Sequence, residues 1–197
     1  MVAAAISCPA ALRAEGPATQ PAALERLSLG TFEGGLDRWT YYGGWEFKGA
    51  SGKLELDEAV AHGGSGSARL TGDFAKGGSY VAMSRPTNTP AERVVFRIRA
   101  KGPTEFSVRL TDAAGQTFQR KVALAGQEVW QEVVLTDFAK ADGHFGGPND
   151  GQWRGALKGM MVMLTVGKDR QGGQLWVDDV EVLRPPYRPP PAIPEGL

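Results

Sequence analysis

The feature that leaves this chain the fewest options is a two-residue alternation of apolar and polar side chains, repeated in short runs along most of its length. Leu54 and Leu56 alternate with Lys53, Glu55 and Asp57, and Ala68 and Leu70 with Ser67, Arg69 and Thr71. Val81 and Met83 follow, then Phe96, Ile98 and Ala100 against Arg97 and Arg99, and Phe106, Val108 and Leu110 against Ser107, Arg109 and Thr111. A period of two is that of a β-strand with one buried face, because successive side chains leave the pleat on opposite sides. Further runs at 116–123, 130–135, 160–166 and 175–183 bring the expectation to about ten strands. Gly72, Gly77-Gly78, Pro86, Gly102-Pro103, Gly126 and Gly172-Gly173 punctuate them with turns. Helical periodicity is missing apart from a possible turn near Asp137 to Asp142. The sequence therefore predicts an all-β, antiparallel β-sandwich of two sheets with about four to six strands each. Phe96, Ile98, Phe106, Val108, Leu110 and Trp130 are placed in its core, with Trp39 also read as a core ring.

At 197 residues the chain has room for one core of ordinary size without disulfides or metals. The organisation predicted is a leader and spacer over 1–23, a folded unit over 24–183 and a Pro-rich tail over 184–197. Met1 to Ala14 is small and apolar, holds the one cysteine, Cys8, and reads as a remnant of a secretory signal, which makes the location secreted or periplasmic. The tail from Arg184 carries six prolines, the composition of a stiff tether. Lys and Arg number 22, as do Asp and Glu, and no block of like charge stands out, so nucleic acid is not an expected partner. No apolar run approaches the roughly 18 to 20 residues of a membrane span.

Five segments, in order, carry a resemblance. They are Thr31-Phe32-Glu33-Gly34-Gly35 followed by Trp39, read as an opening strand, the Gly-rich turn from Ala61 to Ala68, the strands Val95 to Ala100 and Trp130 to Leu135, and Leu175-Trp176-Val177-Asp178-Asp179-Val180 as the closing strand. Their order resembles the jelly-roll, galactose-binding-domain-like carbohydrate-binding modules attached to glycoside hydrolases and other polysaccharide-active enzymes. The resemblance implies a non-catalytic domain that binds a polysaccharide or oligosaccharide and serves a tethered catalytic domain. It also implies a structural calcium ion near the first and last strands, held by Glu33 with Asp178 or Asp179. Calcium takes six to eight oxygen ligands, so carbonyls of the His62 to Ser65 turn would complete such a shell.

The residues offer the chemistry a sugar requires. A pyranose presents apolar C–H faces and a rim of hydroxyls, which calls for flat rings beside planar hydrogen-bonding groups. Both occur twice. Trp39, Tyr41, Tyr42 and Trp45 crowd the segment RWTYYGGW, and Phe145 and Trp153 bracket a polar turn containing Asn149 and Asp150. The expected binding residues are Trp45, Arg109, Gln119, His144, Asn149, Asp150 and Trp153, with Arg109 and Gln119 facing each other across a hairpin. A second reading makes Tyr41, Tyr42 and Trp45 a hot spot for another protein.

Catalysis fits less well. Glu55-Leu56-Asp57-Glu58 looks like a damaged strand motif of jelly-roll glucanases, but adjacent residues on a strand point to opposite faces, so Asp57 and Glu58 cannot share one. His144, Asn149 and Arg154 could be assembled into a lyase site, yet nothing in the sequence orients them.

Overall fold

A computed structural model describes residues 23–168 and 172–187. The expected leader, most of the spacer and most of the tail lie outside them. Twelve strands make up the regular structure, and no helix occurs among the described residues. The strands are β1 (Glu25–Gly30), β2 (Thr40–Tyr42), β3 (Ser51–Asp57), β4 (Ser67–Asp73), β5 (Tyr80–Thr89) and β6 (Arg93–Lys101). They continue as β7 (Glu105–Thr111), β8 (Thr117–Ala123), β9 (Gln131–Leu135), β10 (Gly143–Phe145), β11 (Leu157–Thr165) and β12 (Gly173–Arg184).

These strands form two six-stranded antiparallel sheets, a jelly-roll sandwich. The first runs β3-β4-β12-β6-β9, with β1 also on β12; the second runs β10-β8-β7-β11-β5-β2. The core between them takes the inward set of each alternating strand: Phe96 and Ile98 from β6, Phe106, Val108 and Leu110 from β7, Val162 and Leu164 from β11, and Val177 from β12. Trp39 is buried, with its indole N–H donating to the Leu29 carbonyl at 3.0 Å.

Two expectations about strands are corrected, and one about a turn is met. Trp130 is half-buried rather than in the core, because the inward phase of β9 belongs to Val133 and Leu135; its ring meets His62 edge-on at 5.7 Å. The opening strand ends at Gly30, and Phe32 adopts φ 56, so Thr31 to Gly35 leaves the strand instead of forming it. The segment near Asp137 to Asp142 is a turn closed by the Lys140 N–H on the Asp137 carbonyl at 2.9 Å.

The long strand β12 organises the first sheet. Its Gly173 to Val177 half pairs with β4 and its Val180 to Arg184 half pairs with β1, while β6 follows the opposite edge of both halves. The partner changes at a bulge after Asp178, where Asp179 takes φ 49. A bulge adds a residue that cannot join the ladder, so the strand bends and releases one neighbour for the next.

Candidate functional site

The outer face of the second sheet is where the alternation stops describing a solvated surface. Tyr80, Ala82 and Met163 form a buried cluster there, with Tyr42 and Met161 against it, separate from the main core. The register places these side chains together: Tyr42 lies opposite Ala82, Ala82 opposite Met163, and Met161 opposite Arg109. The signal is legible in β11, whose Met160 to Leu164 run is apolar at every position, as in a strand covered on both faces.

A line of rings crosses this face. Trp45 packs on Tyr42 at 4.7 Å between ring centroids, and Tyr42 stacks on Tyr80 at 6.1 Å and 11°. Next comes Arg109, whose guanidinium lies 4.9 Å from the Tyr80 centroid and 5.1 Å from that of Phe145. The Arg109 Nε donates to Gln119 Oε1 at 2.7 Å and one terminal N–H group donates to the Tyr80 hydroxyl at 3.2 Å. Arg109 and Gln119 are directly paired across the β7–β8 hairpin, as their phase requires. The short strand β10 adds Phe145 to the same face through its pairing with Thr117.

Glu46 fixes the tyrosines. Its carboxylate accepts the Tyr42 hydroxyl at 3.2 Å and also the Tyr80 hydroxyl. Burial pushes the Tyr80 phenol well above its ordinary range, and the hydrogen bond to Glu46 adds to the effect. Burial works against ionisation of Glu46, but the tyrosine hydroxyls, its own N–H and the Arg109 charge outweigh it and hold the carboxyl below the usual range. The glycine pair in YYGGW makes the approach possible. Gly44 has φ 58 and lies so close to the Tyr80 carbonyl that a methyl group would overlap it, while a Cβ on Gly43 would sit 2.7 Å from the Trp45 indole nitrogen.

The structure separates the seven expected binding residues. Trp45, Arg109 and Gln119 share the outer face just described. His144 stands on β10, paired with Phe118, and Asn149, Asp150 and Trp153 belong to the loop after it, which closes on itself. The Trp153 ring packs on Phe138 at 4.7 Å and on Phe118 at 5.4 Å, and its N–H donates to the Gly155 carbonyl at 3.1 Å, so it covers the edge of the core instead of offering a free face. Asp150 is paired with Arg154, which holds its carboxyl well below the ordinary range, and His144 Nδ1 lies 2.9 Å from Asn149 Oδ1. Buried Asp112 and Gln116 bind the loop backbone at Arg154, Gly151 and Gln152. Sequence reasoning missed Tyr80, Glu46 and the exposed Phe47, whose ring meets Tyr80 edge-on at 6.3 Å; Tyr80 was in reach, since it precedes Val81 in the outward phase.

Tyr41 faces the other way. It packs against the main core, and burial raises its phenol, so it leaves the group expected with Tyr42 and Trp45.

Glu33, Asp178 and Asp179 all reach the 62–65 turn, because β1 and β12 are neighbours. Their roles differ. Asp178 is fully buried and accepts the N–H groups of His62 at 2.8 Å, Gly63 at 3.3 Å and Asp179 at 2.8 Å; burial nevertheless raises its carboxyl above the ordinary value. Both Asp178 oxygens are thus already engaged by N–H donors. Glu33 accepts the N–H and hydroxyl of Ser65, both at 2.8 Å, and Asp179 lies 2.8 Å from His62 Nδ1. Among the described residues no three acidic, His or Cys side chains converge as a metal cluster. Glu33 and Asp179 are the more exposed carboxylates of the three, and a calcium ion here would take them with backbone carbonyls completing its shell.

The glucanase-like motif is also engaged. Glu55 and Asp57 both pair with Arg69, and Asp57 further accepts the Trp176 indole N–H at 2.8 Å.

No family model and no curated protein matches the sequence. Solved structures do match. A family 11 carbohydrate-binding module of a cellulosomal cellulase of Clostridium thermocellum superposes with a TM-score of 0.61 at 13% identity, over 85% of this chain and 98% of that one. This is the fold of a jelly-roll carbohydrate-binding module. A family 29 carbohydrate-binding module complexed with mannohexaose gives 0.50 at 10% identity, over 81% of this chain and 92% of that chain. An exo-β-agarase gives 0.51 at 12% identity, over 85% of this chain and 26% of its own length.

Proposed function

We propose that this domain binds a polysaccharide or oligosaccharide without cleaving it, across the outer face of the second sheet. The observation that carries the reading is the continuous platform Trp45–Tyr42–Tyr80, with Arg109 and Gln119 at its end. The exposed ring of Trp45 and the half-buried ring of Tyr42, which stacks on buried Tyr80, would take the C–H faces of sugar units, and the guanidinium and amide would take paired hydroxyls. Glu46 holds two of the rings in advance, which lowers the ordering cost of binding. The solved neighbours support the reading through the fold they share: one is described as a cellulase's module and another was solved with mannohexaose. Service to a tethered polysaccharide-active enzyme, outside the cytoplasm, completes the proposal. A non-catalytic role accords with Glu55 and Asp57 being engaged in ion pairs with Arg69, and Glu55 also with Lys53.

The test is a glycan array followed by calorimetry on the best ligand with the parent and Trp45→Ala. Binding that Trp45→Ala weakens supports the proposal. Absence of any glycan signal, with tight capture of a defined secreted protein that Trp45→Ala abolishes, assigns the exposed rings of Trp45 and Phe47, with Tyr42 beside them, to a protein partner instead.

A further inference from the structure

The two outer faces of the sandwich treat their arginines differently. On the first sheet Arg69 pairs with Glu55 and Asp57, Arg97 with Glu132 at 2.8 Å, and Arg99 with Glu128 at 3.5 Å. On the second sheet the direct partners of Arg109 are neutral: the Gln119 amide, the Tyr80 hydroxyl and two rings. The nearby acid, Glu46, reaches Arg109 through the Tyr80 hydroxyl.

Beyond Arg109, towards β10, the face opens into a groove of about 320 Å³ lined by Arg109, Phe145, Lys158, Thr111, Thr117 and Met161, among others. That lining includes no Asp or Glu. Lys158 lies at an irregularity: the β11 register with β5 slips between Leu157 and Gly159, where Lys158 stands against the two β5 residues Thr87 and Asn88 and none of the three has a ladder partner on the other strand. Among the described residues neither Arg109 nor Lys158 forms an ion pair with a carboxylate. The third basic residue of the lining, Arg85, directs its guanidinium to the carbonyls of Leu29 and Asp37. The hydroxyls of Thr111 and Thr117 lie 2.9 Å apart beside the cations.

We propose that the Phe145 end of the face takes an anionic sugar unit, its carboxylate or sulfate lying between Arg109 and Lys158, while the Trp45 end takes an uncharged ring face. This rests on the carbohydrate-binding reading and narrows it to acidic polysaccharides. Arginine held in place by Gln119 and two rings is set to meet a planar carboxylate or a sulfate with two N–H groups, and Lys158 adds a second charge. A neutral glycan would leave both cations unmatched.

Polygalacturonate and its carboxyl-reduced form share a backbone and differ in charge, and a sulfated galactan and its desulfated form make the second pair. Calorimetry of the parent protein on both pairs, at low and high salt, separates the outcomes. Preference for one acidic member by about tenfold or more, weakened by salt, supports the proposal and identifies the anion. Lys158→Gln and Arg109→Gln are each expected to lose about tenfold on that polymer. Lys158 is exposed, so its variant keeps the test open should the Arg109 variant fold poorly. Equal binding of charged and uncharged members, or indifference to both substitutions, overturns the anionic site and leaves the glycan reading standing. No binding to any glycan, on these pairs or on the array, removes both.

Discussion

Trp45 leaves 68% of its surface to solvent, yet its ring is placed, lying on Tyr42 and over the bare Cα of Gly43. Its contribution is therefore expected in binding and not in stability: Trp45→Ala should weaken the glycan complex by about 1 to 2 kcal/mol with the melting temperature nearly unchanged, read by calorimetry and a thermal melt. Trp153 is the opposite case. Its ring fills the space against Phe118 and Phe138, so Trp153→Ala should cost about 3 kcal/mol of folding stability and leave glycan affinity intact. A denaturant titration beside the binding isotherm checks both halves of that statement. The sequence presents the two tryptophans alike, each beside glycine and polar residues. What distinguishes them is whether a second element comes up beneath the ring, and the sequence does not write that locally.

At the scale of elements, β12 and the turn before β4 are joined by carboxylates. Asp178 satisfies three part-buried backbone N–H groups, two in the 62–65 turn and one at the bulge, and removing it would leave them without that partner. Asp178→Ala should therefore cost about 3 kcal/mol, seen as a lower denaturant midpoint. Asp57 on β3 supplies the pH dependence. Its burial opposes ionisation, but the Trp176 indole, the Ala59 N–H and the Arg69 charge prevail and hold its carboxyl below the ordinary value. A carboxylate depressed in the folded state stabilises fully above its unfolded pKa, and that stability is lost as pH falls through the folded value. The melting temperature should hold from neutral pH down to about 4 and fall below it, and Asp57→Asn should flatten the fall. For calcium, melts in excess ion and in chelator decide. A higher melting temperature in calcium, abolished by Glu33→Gln, is the expected outcome of a structural ion at Glu33 and Asp179. Superimposable curves would leave the Ser65 and His62 hydrogen bonds as the whole of that closure.

For the whole molecule, the alternation was enough to predict two antiparallel sheets and to assign the inward residues of β6 and β7, because a strand with one wet face admits only one burial phase. The same rule excluded a shared face for Asp57 and Glu58 and brought Arg109 opposite Gln119. It failed where a strand is too short to show a period. β2 and β10 have three residues each and could be read only as loop, although they carry Tyr42 and Phe145 to the binding face. It failed too at β9, where Trp130 stands one residue out of phase with Val133 and Leu135. Thus the sequence by itself determined the fold class, the inward residues of β6 and β7 and the hairpin pair Arg109–Gln119, since these follow from local periodicity and neighbouring strands. Only the tertiary structure decided that Trp45, Tyr80 and Phe145 form one surface, that Trp153 is turned inward and that Asp178 faces N–H donors. Those outcomes depend on which distant strands become neighbours, and long-range pairing is set by the packing of the whole sandwich, not by any one segment.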